Sequence, residues 1–237
     1  MIYEINEVYT IDSFDPDKIL SDLLNGYSSI VFILTDEINL NTSDYIFLTD
    51  EQIQYIHKIA VLNDKVNYLI SHSIVNIFYC KLMNCSIDEL NYYYNPYSKP
   101  NIKNNDNVNF SISHTSGCSV IAFSNVNIGV DIENIERKID FENIIDCYFS
   151  ASEKKYINSD PIKFFEFWVS KEAYLKCIGY GLVKGIKDAN INAINSNGFE
   201  IINRETLLKY VIQIELIYSQ YVVGVTKSEV KYDNMNW

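Results

Sequence analysis

Asn127-Ile128-Gly129-Val130-Asp131-Ile132-Glu133 is the stretch from which the rest of the chain can be read. A strand sends successive side chains to opposite faces. Ile128, Val130 and Ile132 therefore share one face, and Gly129, Asp131 and Glu133 share the other. The two carboxylates stand two residues apart on one side, about 7 Å from each other. Gly129 beside them reads as space left for a ligand. Mg²⁺ favours one or two carboxylates completed by phosphate and water, so the pair suits a hard cation. A solvent-facing strand of an acidic protein would look the same, and alone the motif favours that plainer reading.

Upstream, Ser119 to Phe123 is also β-rich, and Ser124-Asn125 suggests the turn of a hairpin joining it to the 127–132 strand. Before it lies Asn109-Phe110-Ser111-Ile112-Ser113-His114-Thr115-Ser116-Gly117. Phe110 and Ile112 point one way, and the run then becomes a turn of small hydroxyl residues around one histidine. Hydroxyls, backbone N–H groups and an imidazole at Ser113, His114 and Thr115 could cradle a phosphate. An ordinary Ser/Thr/Gly turn explains them more simply.

Downstream, helical segments are expected from Phe141 to Ile178. On a helical wheel Phe164, Phe167, Trp168, Tyr174, Leu175 and Ile178 form a broad apolar face with Lys171 in its middle. Glu172 and Lys176 lie beside further apolar residues. An i,i+4 pair on a surface accounts for Glu172 and Lys176. It leaves Lys171 unexplained, and an unpaired buried charge is costly, so function is the better reading here. Gly179 ends this helix as a C-cap.

The remaining chain supplies the frame. Ile2 to Val8 and Ser29 to Leu34 read as strands. Asp15 and Pro16 open a helix to Asn25. Thr49 to Leu82 is a long helical stretch with a Thr49/Gln52 capping box and a candidate break at Asn63-Asp64. Asp88 to Tyr94, Val108 to Ile112, Phe199 to Ile202, Tyr210 to Ile217 and Tyr221 to Val225 read as strands. Long helices joined to antiparallel strands in each half predict an α+β fold, with halves at residues 1–117 and 118–237.

The chain has 237 residues, 48% of them hydrophobic, and a formal net charge of −12. Its only arginines are Arg137 and Arg204, which argues against a nucleic-acid or anionic-membrane binder. No apolar run approaches the roughly 20 residues of a membrane span. Five cysteines without a C-x-x-C pair read as reduced thiols. His57 and His72 lack ligand-spaced partners for zinc. A soluble cytoplasmic protein is expected.

Taken in order, Lys99-Pro100, Phe110 to Gly117, Gly-Val-Asp-Ile-Glu, Tyr148-Phe149-Ser150-x-x-Glu153, Trp168-x-x-Lys171-Glu172-x-x-x-Lys176 and Gly179-x-Gly181-Leu182 resemble the 4′-phosphopantetheinyl transferases. The long, pseudo-dimeric class typified by the surfactin-synthetase-activating enzyme is the nearest in pattern. The resemblance implies two similar α/β halves in a monomer, with coenzyme A bound between them. It implies transfer of the phosphopantetheine arm to a serine of an apo acyl or peptidyl carrier protein, releasing 3′,5′-ADP. By the family pattern Asp131, Glu133 and Glu172 hold Mg²⁺, and Glu172 or a water on it takes the serine proton. Lys176 offsets charge on the leaving phosphate. Lys171, Ser113, His114 and Thr115 grip phosphates, while Lys99 and Pro100 line the nucleotide site.

Where the family carries basic residues on its first long helix, this chain has Gln52, Tyr55 and Asn67. Lys58 is the nearby candidate to hold coenzyme A in their place. Arg137-Lys138 and Lys154-Lys155 flank the segment near which the family docks carriers. The alternatives are a degenerate homologue that binds coenzyme A or a carrier without turnover, and an unrelated Mg²⁺ phosphohydrolase.

Overall fold

The computed structural model describes residues 3–7, 11–36, 42–105, 107–181, 185–195 and 198–228. Ile2, Val8 and Leu182 of the stretches quoted above lie outside them. Among the described residues the first sheet, the helices beside it and a separate two-stranded pair β3–β4 comprise, in chain order, β1 (Tyr3–Glu7), α1 (Pro16–Leu24), β2 (Ser28–Leu34), α2 (Asp50–Ile56), α3 (Leu62–Met83), β3 (Tyr92–Tyr94), β4 (Pro100–Ile102), β5 (Asn109–Thr115) and β6 (Cys118–Ser124). The second is built from β7 (Ile128–Asn134), α4 (Phe141–Tyr148), α5 (Ala151–Ile157), α6 (Pro161–Ile178), β8 (Ile191–Asn195), β9 (Gly198–Ile202), β10 (Lys209–Ile217) and β11 (Tyr221–Lys227). The fold is α+β. No described helix is long and apolar enough to cross a membrane.

Local chemistry sets several boundaries. Asp15 caps α1 by accepting from Asp17 and Lys18 N–H, with Pro16 in the first turn. Thr49 and Gln52 close the expected capping box at α2. The helical stretch breaks at residues 57–61, not at Asn63-Asp64. Those two polar residues sit instead in the first turn of α3, where an acidic side chain suits the helix dipole. Asp88 belongs to a 3₁₀ turn (Ile87–Glu89), so the strand beyond it is only Tyr92–Tyr94.

The first sheet runs β1-β2-β6-β5 and the second β7-β11-β10-β9-β8. This corrects the expected β6–β7 hairpin. β6 pairs with β5 across the Ser116-Gly117 turn, where Gly117 takes φ +81°. β7 pairs with β11. The run through Thr115, read as a turn, is therefore strand. A division after Gly117 would cut this hairpin; the sheets separate between Ser124 and Ile128.

Helix α3 packs on the outer face of the first sheet, burying Leu69, Ile70, Ile74 and Phe78 with Val31, Ile33, Ile121 and Phe123. Helix α6 does the same for the second, burying Phe165, Val169 and Ala173 with Ile212 and Val222. A third core joins the sheets' inner faces. Ile30, Phe32, Val120 and Ala122 meet Ile128, Val130, Ile132, Val223 and Val225. The alternation read in the 128–132 stretch is thus real, but both faces are covered, as β7 is buried throughout.

Gly129 is corrected in the same way. A Cβ there would lie 1.9 Å from the Ala173 carbonyl oxygen and 2.4 Å from the Cys177 nitrogen. The absent side chain lets α6 press onto β7. The room is taken by a helix backbone, not by a ligand.

Candidate active site

The two sheets meet edge to edge at β5 and β7. Side-chain hydroxyls replace a backbone ladder along this seam. Ser111 accepts from the Val130 N–H at 3.2 Å, Ser113 donates to Asp131 Oδ1 at 2.6 Å, and Thr115 donates to Glu133 Oε2 at 3.3 Å and accepts from the Asn134 N–H. The i, i+2, i+4 spacing that read as a hydroxyl cradle is a row of inter-sheet rungs. Thr115 is wholly engaged in it, so its hydroxyl does not face the cleft as a phosphate grip would require.

A cleft opens where this seam meets α6 and α3. It is lined by Ser113, His114, Asp131, Glu133, Glu172 and Lys176, with Tyr68, His72 and Pro100 on the α3 side. Lys176 Nζ donates to Asp131 Oδ1 and to Ser113 Oγ, each at 2.7 Å. The other oxygen, Asp131 Oδ2, is buried and has no hydrogen-bond partner. Glu133 receives Arg137 Nη1 at 3.1 and 3.2 Å. Burial raises the Glu133 pKa, the Asp131 charge adds to that, and Arg137 opposes it.

Glu172 projects from α6 toward both carboxylates. Burial pushes its pKa up to about 8, and the negative charges of Asp131 and Glu133 push the same way. Lys176, one turn on, and the Trp168 indole, one turn back, favour its charged form. The Trp168, Glu172, Lys176 row thus acts as one unit along a helix face. Tyr148, Phe149 and Phe164 pack around Trp168 and fix its ring. His114 sits at the rim, its imidazole held below the ordinary value by loss of water and by the Lys176 ammonium.

Lys171 is not part of this cleft. Its ammonium is fully buried against Glu153 Oε2 at 3.1 Å. It also reaches the carbonyls of Tyr148 and Ile186 and lies 4.6 Å from the Phe149 ring centre. Burial lowers its pKa and Glu153 raises it. Glu153 in turn accepts from the N–H groups of Ser150 and Ile191. The sequence rightly marked Lys171 as a buried charge needing a partner. The partner is a carboxylate on α5, so the phosphate grip implied for Lys171 is replaced by a structural tie.

Lys99 and Pro100 flank a neighbouring apolar pocket, with Phe110, Ile112, Leu175 and Tyr180. The Lys99 ammonium itself turns inward to the Lys176 carbonyl at 2.7 Å and the Ile128 carbonyl at 3.3 Å. It thereby ties the end of α6 to the start of β7. Lys58 is exposed on an adjoining groove that shares Tyr68, His72 and Pro100 with the cleft. Asn67 is buried and bonded to Thr35, Ser119 and the Thr115 carbonyl, so it faces no ligand. The sequence places Arg137 in a basic cluster flanking the segment near which the family docks carriers; the structure sets its guanidinium against Glu133, four residues away.

Among the described residues no three His, Cys, Asp or Glu side chains stand as a finished metal shell. Lys176 and Arg137 instead balance the carboxylates. The donor set still fits a hard cation: Asp131 Oδ2 is a buried oxygen with a free lone pair, and Glu172 is a second carboxylate kept close to it.

Residues 127–226 match the family model described as the 4′-phosphopantetheinyl transferase superfamily. The 4′-phosphopantetheinyl transferase gsp of Aneurinibacillus migulanus is 29% identical over 140 residues, 57% of each chain. The 4′-phosphopantetheinyl transferase psf-1 of Bacillus pumilus is 33% identical over 93 residues, 37% of this chain and 39% of its own. The L-aminoadipate-semialdehyde dehydrogenase-phosphopantetheinyl transferase of Candida glabrata is 26% identical over 175 residues, 68% of this chain and 66% of its own. The chain thus spans little more than half the length of the first of these relatives. The matched stretch runs from β7 through α6 to β11 and contains Asp131, Glu133, Glu172 and Lys176; over this part the chain is similar to the 4′-phosphopantetheinyl transferase superfamily.

Proposed function

We propose that the protein transfers the 4′-phosphopantetheine arm of coenzyme A to a serine hydroxyl of an apo acyl or peptidyl carrier protein. The observation that carries this is the convergence of Asp131, Glu133, Glu172, Lys176, Ser113 and His114 on one cleft between two sheets. The serine oxygen bonds to the phosphorus that carries the pantetheine arm. The bridging P–O bond breaks, and 3′,5′-ADP departs with its electron pair. Such a transfer needs positioning and charge neutralisation more than covalent help.

Asp131 through Oδ2 and Glu172 would hold Mg²⁺, with Glu133 joining through water because Arg137 and Thr115 occupy its oxygens. When bound, the cation would neutralise the diphosphate. Glu172, or a water held on it, takes the serine proton. Lys176 lies beside Ser113 and Asp131, where its ammonium offsets charge gathering on the leaving phosphate. His114 at the rim donates to a phosphate oxygen. Both halves of the cleft come from one chain, so the protein works as a monomer, in the cytoplasm.

The test is to mix the protein with coenzyme A, Mg²⁺ and apo carrier proteins and to take intact masses. A gain of one phosphopantetheine on the carrier serine, abolished by EDTA, is expected. Binding of coenzyme A without any gain on a panel of carriers would replace the transferase with a binding protein. Phosphate or pantetheine phosphate released without a carrier would replace it with a hydrolase.

A further inference from the structure

The exit of α3 brings two cysteines together. Asn84 takes φ 51° and ψ 49°, the left-handed conformation that ends a helix. The chain folds back there, and the Cys85 N–H donates to the Cys80 carbonyl oxygen at 3.1 Å. This closure of the last turn sets the side chains at its two ends side by side. With that bond made, standard backbone lengths hold the two Cα atoms within about 7 Å, the outer limit for a disulfide. Both cysteines pack against the first core and remain partly exposed. Their thiols are close enough to interact directly.

The two thiols have different parts to play. Burial pushes the Cys80 thiol up to about 12, and the neighbouring Cys85 and Glu89 push the same way. A thiol so hard to ionise is a poor first nucleophile, which leaves that step to Cys85. Of the other cysteines, Cys118 and Cys177 are buried and Cys147 is exposed on α4. Among the described cysteines only Cys80 and Cys85 share a turn.

We propose that Cys80 and Cys85 are a redox modification site, closing a reversible disulfide when the protein meets a low-molecular-weight disulfide such as oxidised glutathione. The Cys85 thiolate attacks one sulfur of the oxidant. A bond from Cys85 to that sulfur forms, and the first glutathione leaves as a thiolate with the electron pair of the broken S–S bond. The Cys80 sulfur then gives up its proton and attacks Cys85, and the second glutathione leaves as a thiolate. The cysteines lose two electrons together, and the oxidant disulfide becomes two thiols, taking up the protons the cysteines released. The turn already holds the two residues together, so the ring closes without moving α3. It also removes freedom from the unfolded chain, which makes the oxidised fold the more stable one. In a reducing compartment such a bond is transient, so the exit of α3 responds to the thiol–disulfide balance around it.

The experiment uses Cys147→Ser, which removes the exposed competitor and leaves four of the five cysteines. The folded protein is incubated with oxidised glutathione, then denatured, alkylated with N-ethylmaleimide and weighed intact. Two of those four cysteines should take the label. The unlabelled protein should be about 2 Da lighter, and dithiothreitol should restore all the labelling. Peptide mapping, on this variant and on the unmutated chain, should place the bridge between Cys80 and Cys85. Full labelling, a glutathione retained on Cys85, or a bridge between other cysteines overturns the proposal. Adding Cys80→Ser should trap one glutathione on Cys85, because the second thiol is gone. Adding Cys85→Ser instead should leave Cys80 without glutathione; a glutathione trapped there would overturn the order of attack. The urea midpoint of the oxidised protein should rise. A fall would show that the bridge strains the turn and would overturn the pre-set geometry on which the proposal stands.

Discussion

Residues 171 and 172 are neighbours with opposite fates, set by where one helix turn points them. Glu172 faces the two carboxylates of β7, and Lys171 faces Glu153. Glu172→Gln should lower the transfer rate by at least about a hundredfold in the carrier mass assay, the scale of a lost acid–base or charge-stabilising group. Retained turnover would remove Glu172 from the chemistry. Lys171→Met leaves Glu153 buried without its cation. It should cost about 3–5 kcal/mol in urea unfolding, while the folded fraction keeps its KM for coenzyme A. A raised KM with unchanged stability would return Lys171 to the phosphates. His72 sets a pH dependence. Its pKa is near 4 in the fold against an ordinary 6.5, so between these values the unfolded chain binds more protons. The fold therefore loses stability as pH falls from 6.5 toward 4, by at most about 3 kcal/mol from this group. His72→Gln should flatten that part of the stability curve, measured by urea midpoints from pH 4 to 7.

At the scale of elements, the packing of α6 on β7 decides whether the site exists. It rests on Gly129, and on Gly224 of β11, where a Cβ would lie 2.9 Å from the Val169 carbonyl oxygen. Gly129→Ala meets helix backbone, which cannot rotate away. It should destabilise by about 3 kcal/mol or more, at or beyond the usual range for overpacking, or abolish soluble expression. Unchanged urea unfolding would show that α6 can lift from the strand. The alternation of Gly-Val-Asp-Ile-Glu was readable from sequence because a strand's period is fixed by its backbone. The caps of α1, α2 and α6 were readable for the same reason, since their donors and acceptors lie within a few residues. The β6–β7 hairpin misled because both strands are buried on both faces, and a turn-like Ser124-Asn125 cannot say which sheet comes next.

At the scale of the whole molecule, the two sheets share one buried core. Ile30, Phe32, Val120 and Ala122 on one side and Ile128, Val130, Ile132 and Val223 on the other bury one another in a single cluster. The β5 edge finds its partners on β7 through Ser111, Ser113 and Thr115. Residues 1–125 and 126–237 produced separately should each lack a cooperative unfolding transition by far-UV circular dichroism, because each exposes an apolar sheet face and an unpaired edge. Independent cooperative folding of either piece would show that the joint core is dispensable.

The sequence by itself determined the strand that carries Asp131 and Glu133, the helix that carries Glu172 and Lys176, and the presence of a buried charge at Lys171. Each follows from periodicity or from the cost of burying a charge, which act over a few residues. Only the tertiary structure decided what those side chains meet. It paired Lys171 with Glu153, spent Thr115 on an inter-sheet rung, turned Lys99 onto the end of α6, and filled the space at Gly129 with helix backbone. Those outcomes depend on contacts between residues 18 to 77 positions apart. A distant partner of that kind is chosen by the closing of the whole core, which no local pattern encodes.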